Sequence, residues 1–407
     1  MHALLVPLGS TGDVLPFVGL GRALRARGHE VTVAANPHFA ELVRRSGLYF
    51  EPLGDEDEYD ALCDSPKFMD RTRGFRFVMD WVTTLIRPVY ELAAAHRDSV
   101  VVAHTLAYGA RVAEEKLGVR TATLLLSPAI LRSADTWVKR SMRWAADRWI
   151  VDRVVGPPLN AFRAVKGLPP IARVLSHGWD GDHPFVAMFP SWFAPPQRDW
   201  PRRMTLPGFP LFDLDHRELD GLDALLDERP IVFTPGTGNR HAREFFAAAV
   251  DATRRLDRRA LFLTAHPEQL PASLPPSVRH VSYLPLSRVL PRTSALVHHG
   301  GIGSAAAALA AGIPQVVVPF AHDQPDNAAR LVRLGVAATL PSPRLAGAQL
   351  ATAIEQLLGS PRVQAHCLDY ALRLRDSDAL GEAASFLERY GGHRAEIHAE
   401  LRAGDAA

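Results

Sequence analysis

The chain has 407 residues, 47% of them apolar and 22% charged, which exceeds the length one hydrophobic core usually serves and excludes a disordered or fibrous chain. Its 46 basic and 44 acidic residues leave a formal net charge of +2, so no global field points to nucleic acid, and Cys63 and Cys367 are too few for a disulfide framework or a metal-ligand pattern. No uninterrupted apolar stretch is long enough to span a bilayer and the N-terminus carries no basic leader, which predicts a cytoplasmic protein, neither exported nor membrane-spanning.

The first half alternates strand-like runs (Ala3 to Leu8, Glu30 to Ala35, Ser99 to His104, Arg120 to Leu126, Pro184 to Phe189) with helical patterns such as Phe17 to Arg27 and Pro37 to Ser46. This is the rhythm of βαβ units and a parallel sheet. Between the first strand and helix lies Gly9-Ser10-Thr11-Gly12-Asp13-Val14-Leu15-Pro16, with Pro16 suited to a first helical turn. It is not a GxGxxG turn, which argues against a dinucleotide. Two long helices are predicted at Phe75 to His96 and Asp135 to Lys166. The first presents Phe75, Phe77, Trp81, Leu85, Val89 and Leu92 on one face, to be read as core or as the wall of an apolar pocket. The second interleaves Trp137, Trp144 and Trp149 with Lys139, Arg140, Arg143, Arg148 and Arg153, which suits a plain surface helix or an anionic membrane surface.

Pro190 to Asp213 is crowded with proline and aromatics and reads as the crossing between domains. The βα rhythm then restarts, with strands at Pro230 to Thr234, Ala260 to Thr264, Arg279 to Leu284, Ala295 to His298 and Gln315 to Pro319. From Gly347 the chain reads as three helices. The expected architecture is α/β, with two Rossmann-like doubly wound domains facing across a cleft: 1–213, 214–379, and a helix in 380–407 packing back on the first.

The sharpest chemical signal is His298-His299-Gly300-Gly301-Ile302-Gly303-Ser304, a glycine turn between a strand and an alanine-rich helix. Free backbone N–H groups at a helix start, summed with the helix dipole, make an anion site suited to a diphosphate. The glycines also serve a simple tight turn. After the next strand comes His322-Asp323-Gln324-Pro325-Asp326-Asn327, at the carboxyl edge where open α/β sheets bind ligands. Asp323 and Gln324 suit neighbouring sugar hydroxyls, while Asp326 reads as the helix cap. Thr237, in the loop Thr234 to Asn239, could reach the same phosphate.

Together these residues resemble the family-one nucleotide-sugar glycosyltransferases of GT-B fold, whose donor signature is an HxGxxS turn followed by a D/E-Q pair. Tyr283-Leu284-Pro285 matches the place where that family stacks an aromatic on the nucleobase; a half-buried strand aromatic is the other reading of Tyr283. Either His298 or His299 would meet the phosphate. The segments SWFAPPQRDWP, GFPLFD, LVHHGGIGS and FAHDQPDNAARLVRLG are similar to the rhamnosyltransferases of rhamnolipid synthesis.

The resemblance implies an inverting enzyme whose general base is Asp13, the other reading of Asp13 being a helix cap. Ser10, Thr11, Thr237, Tyr283, Leu284, His298, His299, Gly301, Ile302, Gly303, Ser304, Asp323 and Gln324 would hold the donor, dTDP-L-rhamnose, with no metal and no further cofactor. Phe77, Trp81 and Leu85 would hold an apolar hydroxylated acceptor, a 3-(3-hydroxyalkanoyloxy)alkanoate, to give a mono-rhamnolipid. A polyketide, sterol or other aglycone, a non-catalytic activator that binds nucleotide sugar, and a sugar-nucleotide epimerase on the same fold are the rival readings; the apolar stretch from Phe75 to Leu92 speaks against the last. Peripheral association with the inner face of the cytoplasmic membrane and a partner subunit supplying the lipid are further expectations. Family members using UDP-sugars commonly carry a Glu eight positions after the signature His, for the ribose hydroxyls; counted from His299, this chain has Ala307.

Overall fold

A computed structural model describes residues 1–131, 151–177, 181–213 and 222–404, with side chains to residue 392. In the first domain the strands are β1 (His2–Val6), β2 (Glu30–Ala35), β3 (Tyr49–Pro52), β4 (Val100–His104), β5 (Arg120–Leu125), β6 (Phe185–Ala187) and β7 (Met204–Thr205). Among the described residues they form one parallel sheet in the order β3-β2-β1-β4-β5-β6-β7. The second domain has β8 (Ile231–Thr234), β9 (Ala260–Leu263), β10 (Val278–Val281), β11 (Ala295–His298), β12 (Gln315–Val317) and β13 (Ala337–Thr339), in the order β10-β9-β8-β11-β12-β13, again parallel. These are two doubly wound sheets of GT-B type.

The strand sequences explain the layering. Parallel strands are covered on both faces, so they read as unbroken apolar runs, and successive side chains serve opposite faces. Ala3 and Leu5 enter the core shared with the helix Thr11–Ala26, while Leu4 and Val6 enter the core under the helices Gly74–Thr84 and Ile86–Ala95. Ile231 and Phe233 face one core of the second domain and Val232 the other. Each of the Leu, Val, Ile and Phe side chains among them contributes about 1.5–3 kcal/mol on burial.

The strands that the pattern misses, β3, β7 and β13, all lie at or toward sheet edges, and the segment read wholly as a crossing contributes β7. The single helix expected over Phe75 to His96 is broken at the buried Leu85, which caps one helix and begins the next. Trp137, Lys139, Arg140, Arg143, Trp144, Arg148 and Trp149 lie outside the described residues. No helix among the described residues is long and apolar enough to cross a membrane.

The helix Ala379–Gly404 lies on the first domain, with Ala383, Ala384 and Leu387 buried in its core. Arg27 fixes it, donating from Nη1 to Ser385 Oγ at 2.7 Å and Glu388 at 2.9 Å, and from Nη2 to the Gly381 carbonyl at 2.8 Å. The chain thus crosses between domains twice. The crossings touch at Gly208, whose φ is +120° and where a Cβ would stand 3.0 Å from Ser377 Oγ.

Candidate active site

Strand order reverses between β1 and β4 in one sheet and between β8 and β11 in the other, and ligands of open α/β sheets bind outside the carboxyl ends at such points. After β1 the chain turns through Gly9 and Ser10 into the helix Thr11–Ala26, with Ser10 as N-cap, Thr11 at the first helical position and Asp13 at the third. Asp13 accepts hydrogen bonds from the Ser10 amide at 2.7 Å and the Ser10 hydroxyl at 3.0 Å, both on Oδ2. It therefore does act in a capping box. Burial pushes its carboxyl up to about 6 despite those bonds, and the charge of Asp323 in the other domain adds to the rise.

The glycine turn after β11 separates its two histidines. His298 is fully buried; its Nε2 bonds Gln315 Oε1 at 3.0 Å and its Nδ1 accepts from the Gly300 amide at 3.2 Å. Both ring nitrogens are used within the fold, so His298 has none left for a donor. His299, just past the end of β11, sets its ring nearly perpendicular to that of His298 at 6.2 Å, and its buried Nδ1 has no hydrogen-bond partner. Its ring lies between Gly236 and Gly301: a Cβ on Gly236, whose φ is +88°, would stand 2.6 Å from Cε1, and one on Gly301 2.4 Å from Nε2. Burial lowers the His299 imidazole to about 4, so it is neutral near pH 7 and has one N–H to donate.

The helix Ile302–Ala311 starts with Gly301 as N-cap, no side-chain cap and no acidic residue in its first turn. Gly303 is exposed and Ser304 half-buried at that end, while Ile302 packs partly into the core beside β12. Thr237 is exposed in the turn next to Gly236. Tyr283 follows β10 in a loop rather than within the strand, and the Leu284 side chain is buried in a core cluster with Ala307 packed against it, so only the Leu284 backbone can face a ligand.

The D-Q pair is corrected in detail. Asp323, not Asp326, is the N-cap residue of the helix Gln324–Arg333, although its side chain makes no capping bond; Asp326 pairs with Arg330 one turn on, at 2.7 Å. The Gln324 side chain is buried, and its Oε1 accepts from the Phe320 and Ala321 amides at 2.8 and 3.1 Å, leaving only the amide nitrogen for a sugar. Asp323 is half-buried and its carboxyl is raised by burial. Asn327, which sequence reasoning left unassigned, donates to Asp323 Oδ2 at 2.8 Å and to the Gly300 carbonyl at 3.0 Å, tying the two loops together. The Ser127 hydroxyl of the first domain bonds Asn327 Oδ1 at 3.3 Å.

Beside Asp13 a small crevice of about 10 Å³ is lined by Pro7, Leu8, Gly9, Tyr59, Trp81 and Leu85 among others. That is about the room for one water. Trp81 and Leu85 are in the lining; Phe77 is not, and its ring lies 5.9 Å from Lys67 Nζ instead.

Two family models match: the glycosyltransferase family 28 N-terminal domain over residues 3–134, and the C-terminal domain of erythromycin biosynthesis protein CIII-like proteins over 248–379. O-mycaminosyltylonolide 6-deoxyallosyltransferase of Streptomyces fradiae is 32% identical over 426 residues, covering 95% of this chain and 94% of the relative. Among solved structures, the glycosyltransferase VinC in complex with dTDP superposes with a TM-score of 0.72 at 22% identity, covering 96% of this chain and 100% of its own. The spinosyn rhamnosyltransferase SpnG complexed with thymidine diphosphate gives 0.72 at 19%, covering 95% and 100%; both are likenesses of fold. With the His299 turn and the D-Q pair side by side after β11 and β12, and a relative 32% identical over almost the whole chain, the chain belongs to the family-one nucleotide-sugar glycosyltransferases of GT-B fold.

Proposed function

We propose that the protein is an inverting glycosyltransferase that moves a 6-deoxysugar, L-rhamnose in the preferred reading, from its dTDP form to a hydroxyl of an apolar acceptor. The observation that carries this is that Asp13, with a carboxyl near 6, lies within reach of the charge of Asp323, which Asn327 ties to the Gly300 turn of a second-domain helix start with no cap of its own. Asp13 Oδ1, the oxygen that Ser10 does not engage, takes the acceptor proton as the hydroxyl attacks the anomeric carbon. The bond to the diphosphate breaks on the opposite face, so configuration inverts. Helix amides at Gly303 and Ser304, Thr237 and the neutral His299 N–H receive the charge that gathers on the leaving diphosphate, which is electrostatic catalysis by donors already in place. Asp323 and the amide end of Gln324 hold the sugar, and Tyr283 faces the base. No metal enters this reading.

For the acceptor we favour the 3-(3-hydroxyalkanoyloxy)alkanoate on the sequence likeness described above, with a partner subunit or the membrane surface delivering it. The second reading is a polyketide aglycone, favoured by the 32% identical relative, a deoxyallosyltransferase of O-mycaminosyltylonolide by name. Mass spectrometry of products from dTDP-rhamnose, other dTDP-hexoses and UDP-glucose against hydroxyacyl lipids and macrolide aglycones separates the two. Absence of any glycosylated product with every dTDP-sugar would remove the proposal.

A further inference from the structure

One segment of the first domain, residues 60–74, is fastened to two of the candidate donor loops of the second, those after β8 and β12. Arg240, just after the loop that follows β8, donates to Asp60 at 2.8 Å and Asp64 at 2.7 Å. Its neighbour His241 bonds the Asp64 carbonyl at 2.8 Å. On the other loop His322, the residue before Asp323, bonds the Phe68 carbonyl through Nε2 at 2.9 Å, with its ring 5.5 Å from that of Phe68. Between these anchors Gly238 lies against Ser10, Phe68 and Met69, its Cβ position 3.3 Å from Ser10 Cβ. The His322 backbone is left-handed, with φ at +59°. A residue with a β-carbon visits that conformation uncommonly, and the bond to Phe68 of the opposite domain restrains it together with the Gln324 bonds to the Phe320 and Ala321 amides.

We propose that Arg240 and His322 are positioning residues, which fasten the two donor loops to the 60–74 strap so that Asp323 and Asp13 come into register only in the closed form. The purpose of that register rests on the glycosyltransferase reading above. Release of His322 from Phe68 lets its backbone relax, and the peptide that turns carries Asp323. Release of Arg240 frees the strap beside the loop that packs on His299.

The test compares Arg240→Ala, His322→Ala and His322→Asn by three readouts: hydrogen exchange of residues 60–74, calorimetric binding of thymidine diphosphate, and kcat. Asn visits the left-handed region more readily than most residues and retains an N–H donor. Both alanine variants should speed exchange in the strap at least tenfold and lower kcat at least tenfold, while the thymidine diphosphate Kd stays within threefold. His322→Asn should recover part of both losses. In the double alanine variant the losses should fall short of additive, since both remove one set of contacts. Unchanged exchange in 60–74, unchanged kcat, or nucleotide affinity falling in step with kcat would overturn the proposal, the last by making these residues direct ligand contacts. A wild-type protein that binds no thymidine diphosphate overturns the donor reading instead, and the exchange data still decide whether the strap is held by Arg240 and His322.

Discussion

The helix that follows β1 and the helix that follows β11 both start beside a switch point, on opposite sides of it in two sheets of the same winding, and they treat their exposed N–H groups in opposite ways. The first is closed by its own sequence: Ser10 is the N-cap and Asp13 folds back to accept from it, so a carboxylate already sits where an anion would bind. The second is left open, with Gly301 as N-cap and no acid in its first turn. A helix start that supplies its own negative charge repels a phosphate, and one that supplies none attracts it. On the function proposed above, the same architecture would yield a base on one side of the cleft and a diphosphate cradle on the other.

The strongest test of this division is Asp13→Asn, expected to lower kcat by about 10²–10⁴-fold while the thymidine diphosphate Kd changes no more than about twofold. Turnover near the wild-type value would reduce Asp13 to a cap. Next comes the pair of histidines. Loss of a hydrogen bond to a charged phosphate costs about 1.5–3 kcal/mol, so His299→Ala should weaken thymidine diphosphate binding roughly tenfold to a hundredfold with little change in Tm. His298→Ala should do the reverse, lowering Tm by leaving Gln315 and the Gly300 amide unsatisfied in the core. Equal nucleotide affinities in the two variants would erase the distinction drawn between them.

The pH profile sharpens the comparison further. The base works deprotonated and burial has raised its carboxyl to about 6, so kcat/KM should fall as pH drops through 6 and be about tenfold lower at pH 5. Asp323→Asn removes a nearby negative charge and should move that limb to lower pH. A limb that stays in place would show that burial alone sets it. The smallest effect concerns the nucleoside. Ala307 lies against the cluster that holds Leu284, next to Tyr283, and a methyl group offers a ribose 2′-hydroxyl no acceptor. Thymidine diphosphate should bind about fivefold more tightly than uridine diphosphate, a difference of about 1 kcal/mol, and Ala307→Glu should narrow it. Titration of both nucleotides into both proteins checks this.

Much of this was legible in the sequence because the central strands are buried on both faces and announce themselves as apolar runs, as β1, β4, β8 and β11 do. The edge strands β3, β7 and β13 are short and partly exposed, and carry no such run. Motif spacing placed the donor loops, but it could not assign atoms within them. Which histidine faces outward depends on where β11 ends, and only the Gln315 contact fixes that. Asp326 looked like the cap until Arg330 was found to claim it. Asn327 and Arg240 are invisible for a different reason: they have partners in distant segments, Gly300 and Ser127 for one, Asp60 and Asp64 for the other, and no local pattern records such contacts.

The two crossings that meet at Gly208 and Ser377 have a mechanical consequence. A body held by one tether can swivel in any direction, whereas one held by two adjacent tethers turns chiefly about the line through them, as a door turns on its hinge. Tethers placed in this way would favour opening and shutting of the two sheets over free swivel, with Asp13 and Asp323 coming together on closure. A side chain at Gly208 would wedge between the tethers and tilt that axis, so the reacting groups would miss one another even though every residue of the cleft remained in place.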